Sequence, residues 1–258
     1  MIFDCHVHLP SPSQKLNFEW QPFAPDLAAS LRYLRRSGVE RALASSTWGQ
    51  TAATPADLSA ANDEIVQIAA EQAPFIVPSC LINPNFGGDT LTELRRCRER
   101  HHIAWIGELC GYMGGYTFDT PAFSAAMRLA GELNMVVQIH NDDASDVERL
   151  CRAFPQVTIV LSHLGDGPED VAARIGLTRT CPNLYLDICG NGFERMGVLE
   201  LAVRTAGAER VLFGSDFTIN DPAGVIARIQ HSYFDEDTSQ KILGGNLERL
   251  LNEHNAKL

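Results

Sequence analysis

The feature that most constrains the fold of this chain is a regular alternation of short apolar segments with longer amphipathic ones. The short segments are rich in β-branched and apolar residues, as buried strands are, and the longer ones have the apolar spacing of helices. Strands joined in this way run parallel, because parallel strands need crossover connections. We expect eight strands, over residues 2–6, 39–45, 75–82, 103–110, 135–140, 157–163, 184–188 and 211–215.

Helices are expected between these strands, and several carry sequence signals at their ends. Asp57 or Ser59 is the expected N-cap of the second helix, Pro121 stands at a first helical position, and Gly38 follows the first helix. The closing segment, residues 238–251, is expected to form one or two helices, with Gly244 and Gly245 as the break between them. The preceding helices are expected over residues 24–37, 57–72, 90–100, 121–133, 145–153, 169–175, 197–205 and 221–231.

Two α/β architectures accommodate this alternation, an open doubly wound sheet and a closed (β/α)8 barrel. The strand count of eight and the length of 258 residues favour the barrel. The turn after the first predicted strand lacks the G-x-G-x-x-G pattern of doubly wound dinucleotide-binding folds. We therefore predict a (β/α)8 TIM barrel that forms a single domain over residues 1–258.

Charge and cysteine usage restrict the partners that such a chain takes. The chain has 21 Lys and Arg against 32 Asp and Glu, a net charge of −11, which repels nucleic acids and anionic membranes. We expect a small-molecule substrate, with no nucleic-acid or membrane partner, and the sequence leaves a homo-oligomer open. The absence of a signal-peptide pattern and of a long apolar stretch predicts a cytoplasmic location. Seven cysteines without a C-x-x-C pair argue against a disulfide framework or a cysteine-based zinc site.

Histidines cluster where a barrel places its catalytic groups, at the carboxyl ends of the strands. Alternate residues of a strand point to the same face, so His6 and His8 can offer two imidazoles to one ion. With the other strand-end residues they form an N/O donor set that suits Zn²⁺ first, and also Mn²⁺, Fe²⁺ or Co²⁺. The set is His6, His8, His140, His163 and Asp216.

Each of these residues also has an ordinary structural explanation. A lone H-x-H is a weak signal, a single strand-end histidine is more often a core residue, and Asp216 alone suits a turn. Their joint position at four strand ends favours a metal site over chance. Asp4, two residues before His6, is expected either to accept a hydrogen bond from Nδ1 of a ligand histidine or to bind backbone at the barrel floor.

The same residues resemble a known group of enzymes. Residues 3–8, His140, His163, residues 212–216 and the closing segment 241–251 look like the amidohydrolase superfamily. The likeness is to its amidohydrolase-related (amidohydrolase 2) branch, which also contains aminocarboxymuconate semialdehyde decarboxylase. The resemblance implies that His6, His8, His140 and Asp216 bind metal and that Asp216 accepts a proton from the attacking water. It also implies that His163 binds a second metal or the substrate.

The fourth strand departs from the common pattern of binuclear amidohydrolases. No lysine lies in residues 103–116, so the carboxylated lysine that often bridges two metals in that superfamily is absent. Gly107 and Glu108 instead resemble the Gly-Glu pair of TatD-type hydrolases, in which the glutamate bridges two metals. Glu108 is therefore the sixth candidate ligand, and its alternative role is to orient a ligand histidine.

This pattern predicts a metal-dependent hydrolase that cleaves a C–N or C–O bond of an amide, lactone or other ester, with Asp216 as general acid and base. The alternatives are a non-oxidative decarboxylase of an aromatic or unsaturated acid, a TatD-type phosphoesterase and a non-catalytic metal-binding barrel. Residues 113–116 suggest either a mobile lid or a tight turn. The candidate substrate-binding residues are Trp20, Trp48, Asn83, Tyr112, Tyr116, Asn141, Arg174, Arg179, Asn191, Phe193 and Arg195.

Overall fold

The computed structural model describes residues 1–12, 26–190 and 192–255, and within them it has all eight expected strands, every pair parallel. Strands β1 to β3 pair in sequence order, and so do β4 to β8. The strands are β1 (Phe3–Leu9), β2 (Arg41–Ser46), β3 (Ile76–Pro78), β4 (Trp105–Cys110), β5 (Val136–His140), β6 (Ile159–Leu161), β7 (Leu184–Asp187) and β8 (Val211–Leu212).

Backbone hydrogen bonds close the two sets of strands into one barrel. Between β3 and β4, the Cys80 amide donates to the Trp105 carbonyl at 3.0 Å and the Gly107 amide donates to the Cys80 carbonyl at 2.8 Å. On the other side, the Cys5 amide of β1 donates to the carbonyl of Phe213, just beyond β8, at 2.9 Å. The closed (β/α)8 barrel predicted from the strand count is therefore confirmed, and the open doubly wound sheet is not the fold.

Helices cover the barrel in the expected alternation, with ends within a few residues of prediction where the structure describes them. None of the helices in the described ranges is long and apolar enough to cross a membrane. The helices are α1 (Leu27–Arg36), α2 (Pro55–Glu71), α3 (Gly88–His101), α4 (Gly111–Gly114), α5 (Pro121–Glu132), α6 (Ala144–Ala153), α7 (Pro168–Leu177), α8 (Val198–Ala206), α9 (Pro222–Gln230), α10 (Glu236–Gln240) and α11 (Asn246–Asn255).

Two expectations about helix ends are wrong. The N-cap of α2 is Thr54, whose side chain accepts from the Asp57 amide, while the Asp57 carboxylate accepts from the Thr54 amide. This reciprocal capping box places Asp57 inside the helix instead of at its cap. Gly244 does not break the closing segment either, because a π-helical turn, Lys241–Gly245, joins α10 to α11. A Cβ at Gly244 would lie 2.8 Å from the Met1 carbonyl, so glycine permits a close approach there.

The core of the barrel fixes which end is available for chemistry. One apolar cluster draws residues from all eight strands, among them Phe3 of β1, Trp105 of β4 and Leu212 of β8. Leu247 and Leu250 of α11 pack into the same cluster. Since α11 covers the end of the barrel where the strands begin, the opposite end, where the strands finish, holds the polar residues of interest.

Candidate metal centre

The six candidate donor residues meet at the carboxyl ends of five strands. Strand ends in a closed barrel converge on the barrel axis, so side chains far apart in sequence come within contact distance. They are His6 and His8 on β1, Glu108 on β4, His140 at the end of β5, His163 just beyond β6 and Asp216 beyond β8. All six residues were expected from the sequence, and the structure brings all six together.

Three of these residues form what we call the first donor group: His6, His8 and Asp216. The Nε2 atoms of His6 and His8 are 2.9 Å apart. The Asp216 Oδ1 atom lies 3.3 Å from His8 Nε2 and 3.5 Å from His6 Nε2. All three side chains are buried, so this group is shielded from bulk solvent.

The second donor group consists of Glu108, His140 and His163. The Nδ1 atom of His140 and the Nε2 atom of His163 are 3.1 Å apart. The Glu108 Oε1 atom lies 3.5 Å from the former and 3.4 Å from the latter. Unlike the first group, this group has two partly exposed histidines, so it opens toward solvent.

Glu108 connects the two groups because its two oxygens face different histidines. Its Oε2 atom lies 3.3 Å from His6 Nε2 and 3.6 Å from His8 Nε2, whereas Oε1 faces the second group. Oε1 is buried and has no hydrogen-bond partner among the described residues. Burial would raise the pKa of Glu108, but His6, His140 and His163 hold that pKa well below its usual range. A buried carboxylate oxygen that faces two imidazole nitrogens at 3.4–3.5 Å without a hydrogen bond is well placed to share a cation with them.

The spacing and chemistry of the donor atoms fit divalent transition-metal ions. Neighbouring donor atoms within and between the groups are 2.9 to 3.6 Å apart. Tetrahedral bonds of about 2.0–2.1 Å to zinc place neighbouring donors roughly 3.3 Å apart. Imidazole nitrogens with carboxylate oxygens suit Zn²⁺, Mn²⁺, Fe²⁺ or Co²⁺ better than Ca²⁺ or Mg²⁺.

Asp187, at the end of β7, orients His6 and was missed by the sequence analysis. Its Oδ2 atom accepts from His6 Nδ1 at 2.7 Å and from Gln138 Nε2 at 2.9 Å, which leaves His6 Nε2 for a metal. Burial lowers the pKa of His6, but Cys189, Glu108 and Asp187 together raise that pKa well above its usual value. A Cβ at Gly214 would lie 2.2 Å from Asp187, so glycine makes room for this carboxylate. The position of Asp187 at the end of a predicted strand was the one signal in the sequence for a role in the site.

Asp4 takes the second of its two expected roles and binds backbone. Its Oδ1 atom accepts from the backbone amides of His6, at 3.0 Å, and Ser215, at 2.9 Å. Complete burial raises the pKa of Asp4 to about 7. Asp4 therefore ties β1 to the segment after β8 that carries Asp216.

A cavity of about 480 Å³ opens over the second donor group, within the size range of small-molecule sites. Asp216 lines it together with Asn220, whose Nδ2 atom donates to Asp216 Oδ2 at 3.2 Å. The two oxygens of Asp216 are thus divided, with Oδ1 facing the first donor group and Oδ2 facing Asn220. Asn220 was not singled out from the sequence because nothing in its local pattern distinguishes it from a turn residue.

The candidate arginines do not provide a free carboxylate clamp. Arg174 lines the cavity but is buried and donates to Asp170 at 2.8 Å and Asp142 at 2.6 Å. Its remaining contacts are the carbonyls of Ser162 and His163, so it supports the backbone of the second donor group. Arg179 and Arg195 are exposed and do not line this cavity.

The other expected substrate contacts divide between pocket walls and structural bonds. Tyr112 lines the cavity, and Tyr116 and Asn141 line a neighbouring one. Trp48 donates to Glu64 instead, and Phe193 packs on the core. Trp20 and Asn191 lie outside the described residues.

Residues 113–116 form the tight turn that was one of the two expectations for this segment. The side-chain amide of Asn83 donates to the Gly114 carbonyl at 2.9 Å, and that of Asn85 donates to the Gly115 carbonyl at 2.9 Å. Gly115 ends α4 with φ +67°, which favours glycine. Two side-chain anchors and a nine-tenths buried Tyr116 hold this segment on the barrel.

Three solved structures show the same fold at low sequence identity. A dihydroxybenzoic acid decarboxylase from Polaromonas sp. JS666, with bound manganese and the inhibitor 2-nitroresorcinol, is 16% identical, with 97% of this chain and 96% of that chain covered and a TM-score of 0.76. A 5-carboxyvanillate decarboxylase from Sphingomonas paucimobilis is 15% identical, with 97% and 98% covered and a TM-score of 0.77. A proposed 2-pyrone-4,6-dicarboxylic acid hydrolase from Pseudomonas putida is 18% identical, with 97% of both chains covered and a TM-score of 0.69.

Family membership comes from a different comparison. No curated protein is similar enough to this chain to count as a match. A protein-family model described as amidohydrolase matches residues 3–252, which include all eight strands and all six candidate donor residues. The chain therefore belongs to the amidohydrolase family.

Proposed function

We propose that this chain is a metal-dependent hydrolase that cleaves a C–N or C–O bond of a small molecule, such as an amide, a lactone or another ester. The observation that carries the proposal is the position of Glu108, whose two oxygens face two separate donor groups. A carboxylate so placed could serve a divalent ion in each donor group, and such ions would activate a water and polarise a substrate carbonyl. The likeness of Gly107-Glu108 to the TatD-type motif supports the same assignment.

In this proposal the residues present would hold two divalent ions, with zinc as the first expectation. His6, His8 and Asp216 would hold one and His140 and His163 the other, and Glu108 would serve both groups. When bound, such ions lower the pKa of a water molecule and polarise a substrate carbonyl.

Asp216 is the proposed general acid and base. Its Oδ2 atom faces the cavity side, where Asn220 holds it in place at 3.2 Å. Oδ2 takes one proton from the attacking water and returns it to the leaving nitrogen or oxygen as the C–N or C–O bond breaks. The remaining hydroxyl of that water ends on the acyl carbon, so the products are a carboxylic acid and an amine or alcohol.

A non-oxidative decarboxylase is the second candidate, because two of the similar solved structures are named as decarboxylases. That chemistry uses one metal in the branch that this chain resembles, and Glu108 would then orient a histidine. The two candidates therefore differ in metal stoichiometry and in whether water is incorporated into the product.

Elemental analysis of the purified protein and of Glu108→Gln separates these alternatives. We expect close to two ions per chain in the wild type and about one in the variant, because an amide bridges two cations poorly. Glu99→Gln, an exposed change on α3, is the matched control and should leave the count unchanged. One ion in both proteins would overturn the binuclear hydrolase. Release of CO₂ from aromatic acids without incorporation of ¹⁸O from labelled water would then favour the decarboxylase.

A further inference from the structure

A second cavity, which we call the outer cavity, adjoins the cavity over the metal centre. It lies between the loops that follow β4 and β5 and has a volume of about 560 Å³. Tyr112, His140 and Asp142 line both cavities. A substrate whose reacting bond lies over the donor groups would therefore extend past these three residues into the outer cavity.

The walls of the outer cavity are partly aromatic. Tyr112 is 71% exposed, and its ring meets that of His140 edge-on, with centroids 5.1 Å apart. Tyr116 and Phe118 pack edge-to-face with centroids 5.8 Å apart. Tyr116 and Phe118 are both more than nine-tenths buried, so the exposed aromatic face of this cavity is that of Tyr112. These features suit a ligand that covers the exposed face of Tyr112.

The charges around this cavity are predominantly negative. The lining holds four carboxylates, Asp119, Asp142, Asp143 and Asp146, against the guanidinium of Arg149. Arg149 donates to Asp146 at 2.9 Å and to the Phe118 carbonyl at 3.1 Å, so its charge is already engaged. Asp142 is paired with Arg174 and Asp146 with Arg149, whereas Asp119 and Asp143 form no ion pair among the described residues, so the lining offers a substrate two carboxylates without a cationic partner and no spare cation.

We propose that the outer cavity is a subsite for an alkylammonium or arylammonium group of the substrate. Aromatic faces attract such cations through their quadrupoles. Neighbouring carboxylates also attract a cation, and they repel an anionic group. The inference rests on the proposed function in one respect, namely that the bond to be cleaved lies over the donor groups. It narrows the substrate to an amide or ester that carries a positive charge at the end remote from the reacting carbonyl.

Three phenols of similar shape test the subsite by binding alone. The probes are 3-hydroxyphenyltrimethylammonium, its neutral isostere 3-tert-butylphenol, and 3-hydroxybenzoate, each titrated into the metal-loaded full chain by calorimetry. We expect the ammonium probe to bind at least tenfold more tightly than the other two. Tyr112→Leu keeps the apolar contact but removes the aromatic face, and should lower the affinity for the ammonium probe about fivefold. Tyr233→Leu, an exposed change that lines neither cavity, should leave the affinity unchanged.

Two results would overturn the subsite. In the first, the neutral or the carboxylate probe binds as tightly as the ammonium probe, and Tyr112→Leu weakens its binding too. In the second, Tyr112→Leu leaves the affinity for the ammonium probe unchanged. The acetate esters of the same phenols test the proposed function separately. Ammonium binding without hydrolysis of any acetate would count against the hydrolase and not against the subsite. Hydrolysis without an ammonium preference would count against the subsite alone.

Discussion

At the scale of single residues, Asp216 differs from the other candidate ligands because its two oxygens have different surroundings. Oδ1 lies beside the first donor group, and Oδ2 lies beside Asn220 at the cavity. Asp216 also has a positive φ of +59°, a region that asparagine tolerates as well as aspartate. Asp216→Asn therefore removes the proton acceptor with little cost to the backbone.

We expect Asp216→Asn to lower kcat at least about a hundredfold while the protein stays folded and keeps most of its metal. Steady-state kinetics beside elemental analysis and a thermal melt measures all three quantities. Asp89→Asn, an exposed change on α3, is the control. An Asp216→Asn protein that turns over substrate at the wild-type rate would remove this residue from its assigned role.

Asp187 provides a second test at the scale of single residues, in which metal affinity and not catalytic rate is measured. The groups that face its carboxylate are donors: His6 Nδ1, Gln138 Nε2 and the Cys189 amide. An amide at position 187 places its own N–H₂ against one of these donors, so His6 loses its fixed orientation. We expect Asp187→Asn to weaken metal binding about 10- to 100-fold in a competition titration with a chromophoric chelator. Equal affinity in the two proteins would show that His6 is oriented by other contacts.

The donor residues of the site were predictable from the sequence, but the residue that orients His6 was not. Donors such as His6 and Glu108 lie in or at the ends of apolar strand segments, and the active sites of barrels are built at the strand ends. Histidine and glutamate are unusual in such apolar segments, so both residues can be recognised from the sequence. Asp187 stands at an equivalent position, but a single aspartate after a strand is common in turns. Its pairing with His6 spans 181 residues and depends on the closed barrel, so the strand-end position marks Asp187 as a candidate but does not show that it orients His6.

At the scale of elements, the junction of α2 and α3 depends on one buried carboxylate. Glu93 of α3 accepts from Asn62 at 2.8 Å and from Ser59 at 2.7 Å, both on α2, and from Arg96 at 2.8 Å. Burial alone would raise the pKa of Glu93, but the hydrogen bonds from Arg96, Asn62 and Ser59 lower that pKa to about 2. A depressed carboxylate pKa stabilises the folded state above the unfolded pKa and ceases to do so as the pH falls through the folded pKa.

We expect Glu93→Gln to lower the free energy of unfolding at pH 7 by about 3 kcal/mol. The difference from the wild type should shrink as the pH falls from about 4.5, the ordinary value, toward 2. Urea melts of both proteins across this pH range give the measurement. Glu99→Gln, an exposed change on the same helix, should have little effect. A difference that stays constant down to pH 2 would show that the loss is one of packing and not of charge.

Strands and helices were predictable where the spacing of apolar residues alone determines the type of element. The eight strands and the main helices follow from alternating apolar patterns, whereas the cap of α2 depended on choosing between closely spaced polar residues. Thr54 caps because Pro55 occupies the first helical position, and Asp57 then falls three residues on, where it completes the capping box. The π-helical turn at Lys241–Gly245 brings Gly244 close to Met1 at the other end of the chain, and no local signal reports that contact.

At the scale of the whole molecule, the metal centre joins strands that are distant in sequence. The first donor group links β1 to the segment after β8, and Glu108 extends the link to β4, β5 and the segment after β6. Ions bound by the folded chain and not by the unfolded chain stabilise the fold by mass action. Closure of the barrel and occupancy of the centre should therefore be thermodynamically coupled.

We expect removal of metal to lower the stability of the whole chain. At a free-metal concentration about a hundredfold above Kd, one site contributes about 2.7 kcal/mol, and each kcal/mol shifts the Tm of a chain of this size by about 2–4 °C. The chelated protein should thus melt about 5–10 °C below the zinc-loaded protein for each ion lost, in differential scanning calorimetry. His140→Ala, which disables only the second donor group, should lose part of the zinc-dependent gain, and His6→Ala should lose more because His6 lies against both the first group and Glu108. An unchanged Tm on chelation and full reloading would mean that the donor residues meet in the fold without binding an ion tightly.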